Sequence, residues 1–217
     1  MSVTPEPLTP AALADRIADL LAGTEPEPGA AALRIAVDGP PVAAPEVLAQ
    51  EVATRLPALG RPAVVVPAAG FLRPASVRLE HGRTDPDARY DDWLDTRALA
   101  REVLDRVGPR GSGEYLPALW DTVRDRAARL DREPVPPRAV LLVPGALLQG
   151  AGLAFDAVVH LRVSPAARRR RTPPELAWEL PAFDRYDDEV DPVALADAVV
   201  LADHPDRPAL LLGGRFS

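Results

Sequence analysis

Residues 33–46 read Leu-Arg-Ile-Ala-Val-Asp-Gly-Pro-Pro-Val-Ala-Ala-Pro-Glu, and this stretch decides the fold. LRIAVDG (33–39) is a short apolar run closed by Asp-Gly, the pattern of a buried strand. A helical segment follows from Glu46 to Leu56, with Val47, Leu48, Val52 and Leu56 on one side. Pro45 stands at a first-turn position where proline is welcome, and Glu46 suits the positive end of the helix dipole. The unit is therefore strand, turn, helix.

The same unit repeats outward in both directions. AALADRIADLLA (11–22) spaces Leu13, Ile17, Leu20 and Leu21 as a helix does, and GTEPEPG (23–29) is a turn-rich linker in which Pro26 and Pro28 bar continuation. RPAVVVPA (61–68) is a second buried strand, ended by Pro67. Residues 71–95 read as irregular and charged. Thr96–Val107 is a helix with Leu99, Val103 and Val107 inward, and Tyr115–Leu130 is ambiguous. Further strands are expected at Arg138–Pro144, Phe155–Val163, 196–203 and 209–213, with Ser164 as the N-cap of an arginine-rich helix. Continuous apolar strands alternating with helices indicate a parallel sheet covered on both faces. The expected fold class is α/β, a three-layer sandwich with a charged insertion near 75–135. The expected organisation is an N-terminal helix and linker over 1–30, then a single α/β domain over 31–217 with a lid-like arginine-rich segment near 164–180.

Composition narrows the chemistry. The chain has 217 residues, 25 basic and 32 acidic side chains, and a net charge of −7. Every basic residue is arginine; there is no lysine, asparagine or cysteine, and there are 26 prolines. The absence of cysteine excludes disulfides, thiolate nucleophiles and cysteine zinc sites. The absence of lysine excludes a Schiff base and a lysine phosphate clamp. The acidic balance argues against nucleic-acid binding. No targeting or membrane-spanning segment is read in the chain, so the expected location is cytoplasmic, with neither nucleic acid nor membrane as partner. His81, His160 and His204 form no metal pattern, and His160, inside an apolar strand, reads as a satisfied core histidine. Ser76, Ser112 and Ser164 lack the nucleophile-elbow context. The acidic patch of Asp184, Asp187, Asp188, Glu189 and Asp191 reads as a solvated face or partner surface. No metal site is expected.

The first strand-to-helix turn is where such folds bind phosphate, because a helix N-terminus presents free N–H groups. Against the frame G-x-x-x-x-G-K-[ST], only Gly39 matches; Ala44 stands at the second glycine, Pro45 at the lysine and Glu46 at the hydroxyl. Pro40, Pro41 and Pro45 remove N–H donors, and Ala44 is expected to resist the left-handed backbone that glycine accepts. A Glu46 carboxylate ~4 Å from a phosphate oxygen would repel it by about 4 kcal/mol at an effective dielectric near 20. Glu46 also replaces the hydroxyl that would hold Mg²⁺.

From about Leu33 to Asp206 the chain resembles the uridine kinase family of P-loop kinases, in particular its compact actinobacterial members. RIAVDGP (34–40) resembles the family's first strand and the start of its loop, and GRPAVVVPAAGFLRP (60–74) its second strand and the segment beyond. HGRTDPDARYDDWLD (81–95) is similar to its substrate-side stretch, RAVLLVPGALL (138–148) to its Phe-Asp-Gly strand, and LRVSPAARRRR (161–171) to the start of its lid helix. The resemblance implies ATP-dependent phosphorylation of a nucleoside 5′-hydroxyl, with Mg²⁺ on the phosphates and an aspartate base after the second strand. The chain departs at each chemical position. Besides Ala44, Pro45 and Glu46, the paired aspartates align with Ala69 and Gly70, so no catalytic residue is expected, and the aspartate before Gly145 is Pro144. Phe71, Leu72, Arg73, Pro74, Tyr90, Asp92, Asp95, Asp121 and Gly145 match.

The resemblance makes Arg73, Tyr90, Asp92 and Asp95 substrate-binding candidates. Arg73 also reads as a partner for a nearby carboxylate, and Asp95 as a helix N-cap. Arg168, Arg169, Arg170 and Arg171 are candidate lid contacts to phosphate, since guanidinium forks suit it, or a solvated basic face. Trp93, Trp120 and Trp178 are core or lid anchors. The expected function is that of an inactive uridine kinase-like homologue that binds a nucleoside or acts in regulation or interaction. The alternative is an active phosphotransferase with an unusual donor site. No cofactor is expected, with ATP and Mg²⁺ entering only under that alternative. A nucleoside or nucleotide is the candidate ligand, and a protein partner or a second copy the candidate macromolecular contact.

Overall fold

Every residue of the strand Ala32–Asp38 is buried, and this strand lies in the interior of the sheet. The protein is described here from a computed structural model covering residues 4–216; Met1, Ser2, Val3 and Ser217, the outer ends of the two expected segments, lie outside the described residues. In chain order the elements begin with β1 (Glu6–Pro7), α1 (Pro10–Ala22), β2 (Ala32–Asp38), α2 (Pro45–Arg55) and β3 (Ala63–Val65). Then come α3 (Ala75–Arg78), α4 (Pro86–Asp91) and α5 (Thr96–Leu99), which continues through a wider turn over Ala100–Leu104 into α6 (Asp105–Val107). Four short strands follow, β4 (Glu114–Tyr115), β5 (Trp120–Asp121), β6 (Arg126–Ala127) and β7 (Glu133–Pro134); β4 pairs with β7 and β5 with β6. The chain ends with β8 (Ala139–Gly145), β9 (Ala157–Arg162), α7 (Pro165–Arg171), α8 (Leu180–Val190), α9 (Pro192–Leu195), β10 (Ala198–Leu201) and β11 (Ala209–Leu212).

The main sheet runs β1-β11-β10-β9-β2-β8-β3. Its centre is parallel: β10 with β9, β9 with β2, β2 with β8 and β8 with β3. The expected α/β architecture is present, with an antiparallel edge added by β11 and β1. The two-residue β1, which includes Pro7, is a short edge strand of the kind proline tolerates. The irregular reading of 71–95 is corrected: α3 and α4 are short helices, each started by proline or alanine after a turn. Hydrophobic periodicity misses them because four to six residues are too few to show it.

Strand alternation builds two cores. Leu33, Ile35 and Val37 face one side, where Leu13, Ile17 and Leu21 of α1 and Leu48 and Val52 of α2 cover them. Ala32 and Ala36 face the other, against Leu99, Val103, Leu104 and Val107. Arg34 is the polar exception in β2. Its guanidinium pairs with Asp156 at 2.9 Å and Glu27 at 3.1 Å, so burial leaves its charge compensated. Thr9 caps α1 by accepting the Ala12 N–H, and Ser164 caps α7 by accepting that of Ala167. Among the described residues, no helix is long and apolar enough to cross a membrane.

Candidate functional site

The turn after β2 folds on itself. Pro41–Ala43 form one tight helical turn, and Ala44 takes the left-handed conformation at φ 54°, ψ 57°. This corrects the expectation that Ala44 resists such a backbone. The Ala44 carbonyl accepts both Val47 and Leu48 N–H groups, so the start of α2 holds it there. The N–H groups of 39–46 are largely used up. Gly39 donates to Gly145 O at 3.0 Å, Ala43 to Pro40 O at 2.8 Å and Ala44 to Pro41 O at 3.0 Å. Pro40, Pro41 and Pro45 have none to give, which leaves Val42 and Glu46. Gly39 is required by close packing, because a Cβ there would lie 2.9 Å from Leu161 Cβ.

The turn is also covered. Pro40, Pro41 and Val42 face Arg168, Thr172, Pro173, Leu176, Leu180 and Phe183 across about 30 Å³ of space. Arg171 donates to the Val42 carbonyl in a close contact, and to Ala202 O at 2.6 Å. Arg168 is buried and donates to Asp184 at 2.6 Å and Asp187 at 2.9 Å. Arg169 reaches Asp184 at 3.3 Å, and Arg170 is exposed, so the four arginines do not converge. Glu46 is exposed on the first turn of α2 and does not fill the loop. A magnesium triphosphate does not fit the residues present: the turn offers no lysine, no hydroxyl and few N–H groups.

The other aligned positions are closed by packing. Ala69 and Gly70 lie in the turn Ala68–Phe71. A Cβ on Gly70 would sit 2.8 Å from Ala118 Cβ, and Leu119 N donates to Gly70 O at 2.8 Å. Pro144 is buried in β8 beside Val37, and a Cβ on Gly145 would meet Ala68 Cβ at 2.6 Å. Among the described residues, no His, Asp and Glu groups are clustered so as to hold a metal ion.

One residue before the closed turn, Asp38 is fully buried and forms a hub that the sequence reading did not single out. Its Oδ1 accepts the Leu148 N–H at 3.1 Å. Its Oδ2 accepts from His160 Nδ1 at 2.8 Å, Tyr186 OH at 2.9 Å and Gln149 Nε2 at 3.1 Å. Full burial works against the Asp38 charge, but His160, the Leu148 N–H and the Gln149 amide outweigh it and hold the carboxyl below the usual carboxylate range. Burial, and then the Asp38 charge, push the Tyr186 hydroxyl far up, so it remains a donor. Two signals pointed here: an acid ending an apolar strand, and His160 inside another. Neither said that residues 38, 149, 160 and 186 meet.

Beside the hub, between α4, α8 and the segment after β8, opens a cleft of about 230 Å³. Arg89, Tyr90, Asp91, Thr96, Gln149 and Tyr186 supply its polar lining, and Leu94, Leu147 and Val190 its apolar walls. Of the four substrate-side candidates, Tyr90 lines the cleft, edge-on to Tyr186 with ring centroids 6.4 Å apart. Arg73 pairs with Asp92 at 3.3 Å, and Asp95 caps α5 by accepting the Ala98 N–H at 2.8 Å. The Trp93 and Trp178 rings pack 5.6 Å apart, which ties the segment after α4 to the turn before α8.

A mostly parallel sheet in this order, flanked by helices and with β2 running into a turn and α2, is a P-loop kinase-like fold. Solved structures similar to this chain include a possible uridine kinase from Bacillus stearothermophilus, with a TM-score of 0.69 and 17% identity over 86% of this chain and 96% of that one. A candidate fructose transport system kinase from Silicibacter sp. TM1040 has a TM-score of 0.60 and 20% identity over 84% of this chain and 96% of that one. At these identities the likeness is one of fold. No protein-family model matches the sequence, and no curated protein matches it.

Proposed function

We propose that this chain is a nucleoside kinase-like protein that binds a nucleoside-sized ligand in the cleft beside Asp38 and does not transfer phosphate. The observation that carries the reading is the loss of phosphate-binding groups from the turn after β2, next to a polar-lined cleft. One face of the turn, under α7 and α8, keeps a gap of about 30 Å³, the other borders a mostly apolar cavity of about 200 Å³, and the polar-lined cleft beside Asp38 holds about 230 Å³. The turn's spent N–H groups and the absence of a carboxylate at positions 69, 70 and 144 support it. Since phosphoryl transfer depends on positioning and charge neutralisation around the phosphates, the loss of these groups from the turn argues against the reaction. What remains is binding, with regulation or interaction as its use. Titration calorimetry with Mg-ATP, and separately with uridine, tests the proposal. The expected outcome is heat with the nucleoside and none with Mg-ATP up to millimolar concentration. Micromolar Mg-ATP affinity with uridine phosphorylation above background would overturn it.

A further inference from the structure

The turn after β2 has a second side, and there the structure keeps room. A cavity of about 200 Å³ opens between the turn, the first turns of α1 and α2, and the C-terminal ends of β9 and β10. Leu13, Val42, Val47, Leu161, Val200 and Pro205 form its apolar walls. Val47 stands in the apolar stripe of α2 and is nevertheless 62% exposed, because this cavity leaves it uncovered. An apolar cavity of roughly 150 Å³ holds a benzene ring, so this one has room for a single ring or a chain of similar bulk. Arg171, the last residue of α7, bridges two of the walls: it donates to Ala202 O at 2.6 Å and, in a close contact, to the Val42 carbonyl. A guanidinium carries five N–H groups, so others remain free to bind. Its Nε has no acceptor and, unlike that of Arg168, is not sealed from solvent.

The charge of Arg171 is also unanswered among the described residues. Arg168 pairs with Asp184 and Asp187, and Arg169 with Asp184, whereas Arg171 reaches carbonyls and no carboxylate. Asp203, next to Ala202, is taken by Ser164, whose N–H and hydroxyl it accepts at 2.7 and 2.6 Å. Glu51 lines the cavity but is held by Arg55 at 2.7 Å. A half-buried cation beside apolar walls favours an anion that brings its own apolar body. One cation matches one negative charge, so a phosphate dianion or a triphosphate would leave charge uncompensated there. We propose that this cavity binds a small apolar monocarboxylate, with its ring or chain among Leu13, Val47 and Val200 and its carboxylate on Arg171. The proposal is independent of the nucleoside-binding reading, since it uses none of the residues lining the cleft beside Asp38.

Calorimetry on the full chain with 3-phenylpropionate and the neutral 3-phenylpropanol tests it. The acid is expected to bind about tenfold or more tightly than the alcohol, the scale of one hydrogen bond to a charged group. Two variants locate the site. Arg171→Gln should abolish the preference for the acid. Val47→Glu, at an exposed position of α2, sets a carboxylate against that of the ligand and should weaken the acid more than the alcohol. Circular dichroism checks both for folding; if Arg171→Gln fails to fold for want of its bond to the turn, Val47→Glu decides. Equal binding of acid and alcohol, no binding of the acid up to millimolar concentration, or an unchanged acid affinity in Val47→Glu would overturn the proposal. So would displacement of the acid by adenosine, which would make the cavity a base-binding site instead.

Discussion

The turn over 39–46 and the hub around Asp38 are adjacent in the chain and treat their polar groups in opposite ways. In the turn, prolines delete donors and short internal hydrogen bonds consume most of the rest. Polar demand is low there, and apolar side chains such as Leu176 and Phe183 close over it. In the hub, a full charge is buried and answered by side chains from residues distant in sequence. A polar network of that kind is costly where it is left incomplete, and Gln149 Oε1 is its buried acceptor without a partner. The turn loses its phosphate-binding character because its backbone donors find partners inside the fold, whereas the hub spends its side chains on one buried charge.

The comparison is most severely tested at Asp38. Asp38→Ala removes the acceptor shared by His160, Tyr186 and Gln149, and unfolding in urea should show a loss of about 3–5 kcal/mol, the range for breaking a buried pair from one side. A loss under about 1 kcal/mol, the scale of an exposed pair, would place the hub among ordinary surface contacts.

A pH series sharpens the same point with less force. The folded-state carboxyl of Asp38 lies below its ordinary value, so its contribution to stability is fully present above the unfolded-chain value of about 3.9. It is lost as pH falls below that value and through the folded one. Denaturant midpoints measured from pH 5 down to pH 2 should therefore fall more steeply for the native chain than for Asp38→Asn. Parallel curves would remove the charge from the argument.

The smallest effect belongs to the turn. Ala44 holds a left-handed backbone at φ 54°, so Ala44→Gly should stabilise the protein by about 1 kcal/mol. It should leave Mg-ATP affinity unchanged, because the prolines and the cover from α8 remain. A gain in ATP affinity from this change alone would show that the methyl group, and not the spent donors, had closed the loop.

Much of the scaffold was legible in the sequence. The apolar runs at 33–39, 138–144 and 155–163 announce central strands because parallel strands buried on both faces need no alternation. Thr96–Val107, with Asp95 before it, announces a capped helix, and Ser164 a second. The antiparallel edge was not legible: β1 has two residues and owes its existence to pairing with β11. The candidate site was legible by subtraction at Ala44, Pro45, Glu46, Ala69 and Gly70. Its closure was not, since that depends on Arg171 reaching Val42 and on residues 117–119 packing against Gly70.

By itself the sequence determined which chemical groups exist. No lysine or hydroxyl stands at the start of α2, no aspartate after β3, and proline replaces three N–H donors in the turn. These are matters of covalent identity and hold in any conformation. Only the tertiary structure decided what the remaining groups do. Arg168 is drawn to Asp184 and Asp187, Arg73 to Asp92, and Asp38 gathers His160, Gln149 and Tyr186. The physical reason is that a buried charge acts on whatever lies within a few ångströms, and in this sheet those neighbours come from up to 148 positions away.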